Sequence, residues 1–294
     1  MSMRILKYMT MMVVALPLLI ACRKTGHPED FGLAVSAVWA DEADADEDVK
    51  LERLWIFDSD GKPLMHSDWD DARELADRLF PIPQGEYTVA LGVNISSPFG
   101  LSESGLSARD IAVRLEDAMS PFHAFYCTRD VHVSDASRVT TVEMQERRIL
   151  SEFALEIVGA PQGMSVDISV MNAADAFYPM QKTSDGQYGL VSDKSQEVHI
   201  GQMELSSKEG RTPLLKIMPT VSGREYSFFV IKLILSGGEV MESYIEAPRM
   251  EVSGKYLMSL KYDEIRSFMH LSACSIKDWT EGWVYNGEIT DPTE

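Results

Sequence analysis

The chain has 294 residues, of which 45% are hydrophobic, and a formal net charge of −19. That length suffices for one large domain or two ordinary ones. The acidity argues against nucleic acid, and against an anionic bilayer as an electrostatic partner, because both repel a negative surface.

The first eight residues carry Arg4 and Lys7. Residues 9–21 are uncharged and apolar, a run of ~13 against the ~20 that a membrane-crossing helix needs. Pro17 also interrupts a helix there. A basic start, a short apolar core and a small closing residue predict a secretory signal peptide over residues 1–21. The stretch Leu19-Ile20-Ala21-Cys22 resembles a bacterial lipobox, which predicts a diacylglycerol thioether on Cys22, the thiolate being the nucleophile. Two or three acyl chains then hold the protein at a bilayer, since one alone binds marginally. Loss of residues 1–21 removes Arg4 and Lys7, moving the charge to about −21. Residues 22–30 read as a lipidated polar tether.

Strand patterns follow. Residues 31–39 alternate, with Leu33, Val35 and Ala37 in phase. Residues 41–48 (DEADADED) form an acidic connection. Residues 51–58 (LERLWIFD) are a strand that runs into Asp60-Gly61, a strong turn signal. Residues 70–80 place Ala72, Leu75, Ala76 and Leu79 at helical spacing, predicting a short helix or turn. Pro83 and Gly85 make a turn before a strand in which Tyr87, Val89 and Leu91 share a face. Further alternation covers Ile111 to Leu115, Val131 to Val133 and Val139 to Val142. The pattern restarts after the MQERR stretch at 144–148. Strands are expected over 150–158, 164–171, 188–191, 198–200, 214–218, 225–235, 240–244 and 254–260. Ser236-Gly237-Gly238 reads as a hairpin turn. Short alternating runs with turn signals every ~8 to 12 residues indicate β-sandwiches. The expectation is an all-β chain of two touching sandwich domains, 31–147 and 148–294.

Catalytic signatures are scarce. There is no H-E-x-x-H, P-loop or G-x-G-x-x-G. Gly100-Leu101-Ser102-Glu103-Ser104 lacks the second glycine of a nucleophile elbow. His123 precedes Cys127 by four residues, which alone does not make a zinc site. Asp44, Asp46 and Asp48 offer hard oxygen ligands for calcium, but the glycine and closing glutamate of an EF-hand are absent. Cys127 and Cys274 either pair in an oxidising compartment or remain buried thiols. Trp39 and Trp55 are assigned to core or interface positions. Trp69 and Trp283, in polar turn-like segments, are the candidates for exposed contact. These observations predict a protein without enzymatic activity, cofactor or metal beyond the lipid on Cys22, and with no small-molecule substrate.

Four passages in order carry a family resemblance: the lipobox followed by a strand ending in Trp39, VKLERLWIFDSDGKPL (49–64), PIPQGEYTVALGVN (81–94) and SIKDWTEG (275–282). Together they resemble the FimB and minor-fimbria accessory family of fimbrial anchor lipoproteins, found in the type V fimbriae of the Bacteroidia. The resemblance implies two transthyretin-like (Greek-key) β-sandwiches on an outer-membrane lipoprotein. It also implies a role in anchoring a fimbrial shaft or limiting its length, or as an accessory subunit. Partners would be shaft or accessory subunits joined by strand exchange, for which an open sheet edge is a template. Only Cys22 carries over with a defined role. Trp55 stands where the family often has a smaller residue, and the acidic loop is no mark of the family. The C-terminal segment 275–289, with Trp279, Trp283, Tyr285 and Ile289, is the candidate partner contact. The competing reading is a surface lipoprotein that binds glycans on exposed aromatic residues.

Overall fold

The computed structural model describes residues 31–40, 49, 51–70, 73–76, 78–102, 107–135, 137–206, 210–263, 265 and 275–278. Cys22, the acidic loop 41–48, Cys274, Trp279, Trp283, Tyr285 and Ile289 lie outside the described residues. The described residues are almost entirely β, as the alternation predicts.

The first sandwich is built from β1 (Gly32–Trp39), β2 (Glu52–Asp58), β3 (Pro63–Trp69), a one-turn helix α1 (Arg73–Ala76), β4 (Leu79–Phe80) and β5 (Gly85–Val93). Two short strands follow, β6 (Phe99–Ser102) and β7 (Ala112–Leu115), then the long strands β8 (Phe125–Val133) and β9 (Val139–Arg148). Strands β3-β2-β5-β8 form one wall and β4-β1-β9 the other. Strand β9 joins the walls. Its residues 139–146 pair in parallel with β1, and Arg147 and Arg148 then pair with Tyr126 and Phe125 of β8. Leu33, Val35, Leu54, Ile56, Val89, Leu91, Val131, Val142 and Met144 fill the space between the walls. The ambiguous stretch 70–80 thus resolves as α1 plus the two-residue strand β4. Leu75 from its apolar stripe is buried in this core.

The second sandwich uses β10 (Ser151–Val158), β11 (Ser165–Ala174), β12 (Phe177–Lys182), β13 (Tyr188–Val191), β14 (Ser195–Glu204) and β15 (Leu215–Ile217). It is completed by β16 (Tyr226–Ile234), β17 (Val240–Pro248), β18 (Lys255–Lys261) and β19 (Ser275–Asp278). Its sheets run β15-β10-β18-β19 and β14-β11-β16-β17. Phe153, Leu155, Val166, Ile168, Phe229, Ile231 and Met258 lie in its core.

A third small sheet, β13-β12-β7-β6, takes two strands from each half of the chain and is joined by the pairing of Phe177 with Val113. Because this sheet covers the outer face of β2 and β5, those strands are buried on both sides. Leu54 and Ile56 point into the first sandwich, while Trp55 and Phe57 join the second core. A strand covered on both faces loses the polar alternation of a surface strand, which is why LWIF reads as a continuous apolar run. Further bonds fasten the junction: Arg114 to Asp175 at 2.8 Å, Thr128 to the Pro179 carbonyl at 3.0 Å, and Lys182 to Asp130 at 2.8 Å. Fully burying an aromatic side chain such as Phe177 contributes about 1.5–3 kcal/mol, so the two halves pack as one body.

Two tryptophan assignments meet different outcomes. Trp55 is buried in the junction. Trp69, expected to be exposed, is only 6% exposed and packs edge-on against Phe80. Its place at the end of β3 is in phase with the interior, and that decides its burial over the polar neighbours Asp68 and Asp70.

Candidate partner-binding edges and the junction between the sandwiches

Strand β17 bounds its sheet. Its register with β16 runs unbroken from Tyr226 opposite Pro248 to Ile234 opposite Val240. Strand β14 bounds the other side, but its pairing with β11 shifts twice and Gly201 sits at φ +99°. Irregularity of that kind twists an edge away from added strands, whereas a long regular edge is a template for one. β17 is therefore the better-formed acceptor. Beside it lie exposed apolar side chains, Tyr244 at 51% and, on β16, Phe228 at 38%. β19 bounds the opposite sheet and pairs antiparallel with β18, Ser275 opposite Ser259. The segment 275–289, expected from the sequence to be a partner contact, thus begins with a strand at the edge of its sheet among the described residues.

A buried cluster of His123, Arg148 and Glu152 lies where β9 turns into β10 and the segment before β8 meets it. His123 Nε2 lies 2.7 Å from Glu152 Oε1, and Arg148 Nη1 donates to Glu152 Oε2 at 3.2 Å. His123 and Arg148 are 1% and 4% exposed. Burial works to raise the Glu152 pKa, but the His123 hydrogen bond and the Arg148 charge outweigh it and leave it below the ordinary value. The strand register explains the burial of Arg148, since Val142, Met144, Glu146 and Arg148 alternate inward along β9. The backbone of Arg147 and Arg148 pairs with Tyr126 and Phe125 of β8, leaving the Arg147 side chain exposed and that of Arg148 buried.

A second anomaly shares that stripe. Glu146 and Glu52 are 1% and 2% exposed at the end of the first sandwich. Burial, then the charge of Glu52, pushes the Glu146 carboxyl up to about 8. One of its oxygens, Oε1, has no hydrogen-bond partner.

Cys127 is a free thiol whose pKa burial pushes up to about 11, the opposite of an activated nucleophile. Asn94, the head of an Asn-Ile-Ser sequence, is fully buried. Among the described residues no group of three or more His, Cys, Asp or Glu is placed to hold a metal ion. No described helix is long and apolar enough to cross a membrane.

The family model for the fimbrillin-A associated anchor proteins Mfa1 and Mfa2 matches residues 24–284. The chain belongs to that family. Its fold is similar to that of the fimbrial anchor protein Mfa2 from Porphyromonas gingivalis, at 12% identity and TM-score 0.53, covering 86% of this chain and 99% of that one. A protein of Bacteroides thetaiotaomicron, provisionally described as polysaccharide-binding, gives 12% identity and TM-score 0.61 over 90% of this chain and 100% of its own. A fimbrial assembly protein from Parabacteroides distasonis gives 10% identity and TM-score 0.50 over 81% and 90%. A search of the curated proteins returns no match. Membership of the Mfa2 family places this chain among fimbrial accessory proteins at the cell surface, interacting with other fimbrial subunits. The sequence patterns detected most strands of this fold, but not β6 or β12. They missed the triad and the Glu52–Glu146 pair, whose only signal was charge at inward-facing strand positions.

Proposed function

We propose that this protein is a lipid-anchored fimbrial subunit of the Mfa2 or FimB type, which attaches a fimbrial shaft to the outer membrane without catalysing any reaction. The family match over residues 24–284 is the observation that carries this reading. The lipobox ending in Cys22 supports the anchor, and the regular β17, the outermost strand of its sheet among the described residues, supports a partner held by strand pairing. In this reading residues 1–21 are removed and residues 22–30 form the tether. Residues 31–147 and 148–294 are the two sandwich units. Trp279, Trp283, Tyr285 and Ile289 extend the contact surface begun by β19. The described tryptophans do not supply exposed platforms for glycans, because Trp55 and Trp69 are buried and Trp39 packs on Phe125 at 4.7 Å.

Growth of the native cells with a clickable palmitate tests the anchor. The wild-type chain is expected to take up label and fractionate with membranes. Cys22→Ala is expected to lose the label and to appear in the soluble fraction and medium. An unlabelled wild type, or a variant that stays wholly in the membrane, contradicts lipid anchoring at Cys22.

A further inference from the structure

A cleft of about 630 Å³ opens between the two halves of the chain, within the usual size range of ligand sites. Gln145 and Arg147 of β9 form one wall, and the 249–253 turn with Ser222 forms the other. Tyr126 and the β13 hairpin make the floor. Tyr126 Oη donates to the Tyr188 carbonyl at 3.2 Å, and its ring packs edge-on against Phe177. The floor depends on Gly189. A Cβ there would lie 2.2 Å from Tyr126 Oη, and its φ of +102° suits glycine. The opposite wall is pinned where Ser253 Oγ donates to the Arg148 carbonyl at 2.9 Å. The cleft is therefore preformed.

Its hydrogen-bonding groups are unevenly spent. Arg148 is engaged with Glu152, Arg249 lies 3.1 Å from Glu251, and Asp185 accepts from Thr183. The exposed guanidinium of Arg147 has no ion pair among the described residues, and the side chains of Gln145, Gln187 and Ser222 have no hydrogen bond among them. Among the described residues this leaves one cation without an ion pair, two amides and a hydroxyl above the floor of the cleft, in a protein of net charge −19.

We propose that this cleft binds an acidic saccharide. A guanidinium matches a carboxylate or sulfate in a bidentate fork. The amides and hydroxyl satisfy ring hydroxyls, as neutral donors and acceptors. An apolar ligand would leave these donors unmatched, at a cost. An acidic peptide fits less well. Strand addition needs a regular free edge, and β13 offers four residues with Gly189 at positive φ among them. The proposal stands apart from the anchoring role, which uses Cys22 and the outer sheet edges.

Titration calorimetry of the full chain in detergent, with trigalacturonate, neutral maltotriose and a glutamate-rich peptide, tests it. Trigalacturonate is expected to bind at least about tenfold more tightly than maltotriose, and less tightly at high salt. Arg147→Gln is expected to weaken trigalacturonate binding by about tenfold or more while leaving the thermal midpoint unchanged, because Arg147 is exposed. Lack of trigalacturonate binding, equal affinity for maltotriose, preference for the peptide, or unchanged binding by Arg147→Gln would each overturn the proposal. The comparison of ligands on the wild-type chain decides the matter should the variant misfold.

Discussion

Glu152→Gln is expected to destabilise the protein by about 3–5 kcal/mol, the scale for breaking a buried ion pair by removing one partner. The amide keeps the shape of the side chain but not its charge. It withdraws the carboxylate that faces both His123 at 2.7 Å and Arg148 at 3.2 Å. For a chain of this size that loss lowers the thermal midpoint by roughly 10 °C. The effect reaches both halves of the molecule, because Arg148 ends β9 and Glu152 begins β10. The pH dependence has a defined sign. The folded-state pKa of Glu152 lies below its ordinary 4.5, so its contribution is present above that value and is lost as pH falls through the lowered one. Urea unfolding at neutral and acid pH measures both effects. A loss below about 1 kcal/mol at neutral pH means that the triad behaves as a solvated surface pair.

Glu146→Gln is expected to act in the opposite direction. The Glu146 carboxyl titrates at about 8 in the folded chain against 4.5 ordinarily. Between those values the unfolded chain gives up the proton and the folded chain keeps it. Wild-type stability therefore falls as pH rises, by at most about 1.4 kcal/mol per unit, and levels off above the folded value. Glutamine removes that slope. The variant is expected to match the wild type near pH 4.5 and to exceed it by up to about 5 kcal/mol above pH 8. Urea midpoints across this range read the difference directly. Parallel curves for the two proteins would show that Glu146 ionises freely in the folded state.

These two sites explain what sequence could and could not convey. Alternation located β2, β5, β10 and β16 to within a residue or two, and Asp60-Gly61 and Gly237-Gly238 marked real turns, with Gly61 and Gly238 at positive φ. Such signals are local, and local signals survive in a sequence. Pairings between distant strands leave no such trace. Nothing in the sequence shows that β1 runs parallel to β9, that β10 runs parallel to β18, or that Phe177 meets Val113. The shared sheet is built of strands of four to six residues, too short for a strong period. The MQERR stretch, after which the pattern restarts, is the closing part of β9. Its charged residues at inward positions create the buried Glu146 and Arg148 instead of ending the strand. Trp69 shows the converse case, in which strand phase outweighs polar neighbours.

Anchoring in this reading depends above all on a partner subunit held along β17, the outermost strand of its sheet among the described residues. Hydrogen exchange of the full chain, alone and in the complex recovered from its own detergent-solubilised membranes, tests this most directly. The account predicts that the complex contains another fimbrial subunit and that amides of β17, residues 240–248, gain protection in it. Recovery of such a complex with β17 exchanging as fast as in the free chain would contradict strand pairing at this edge.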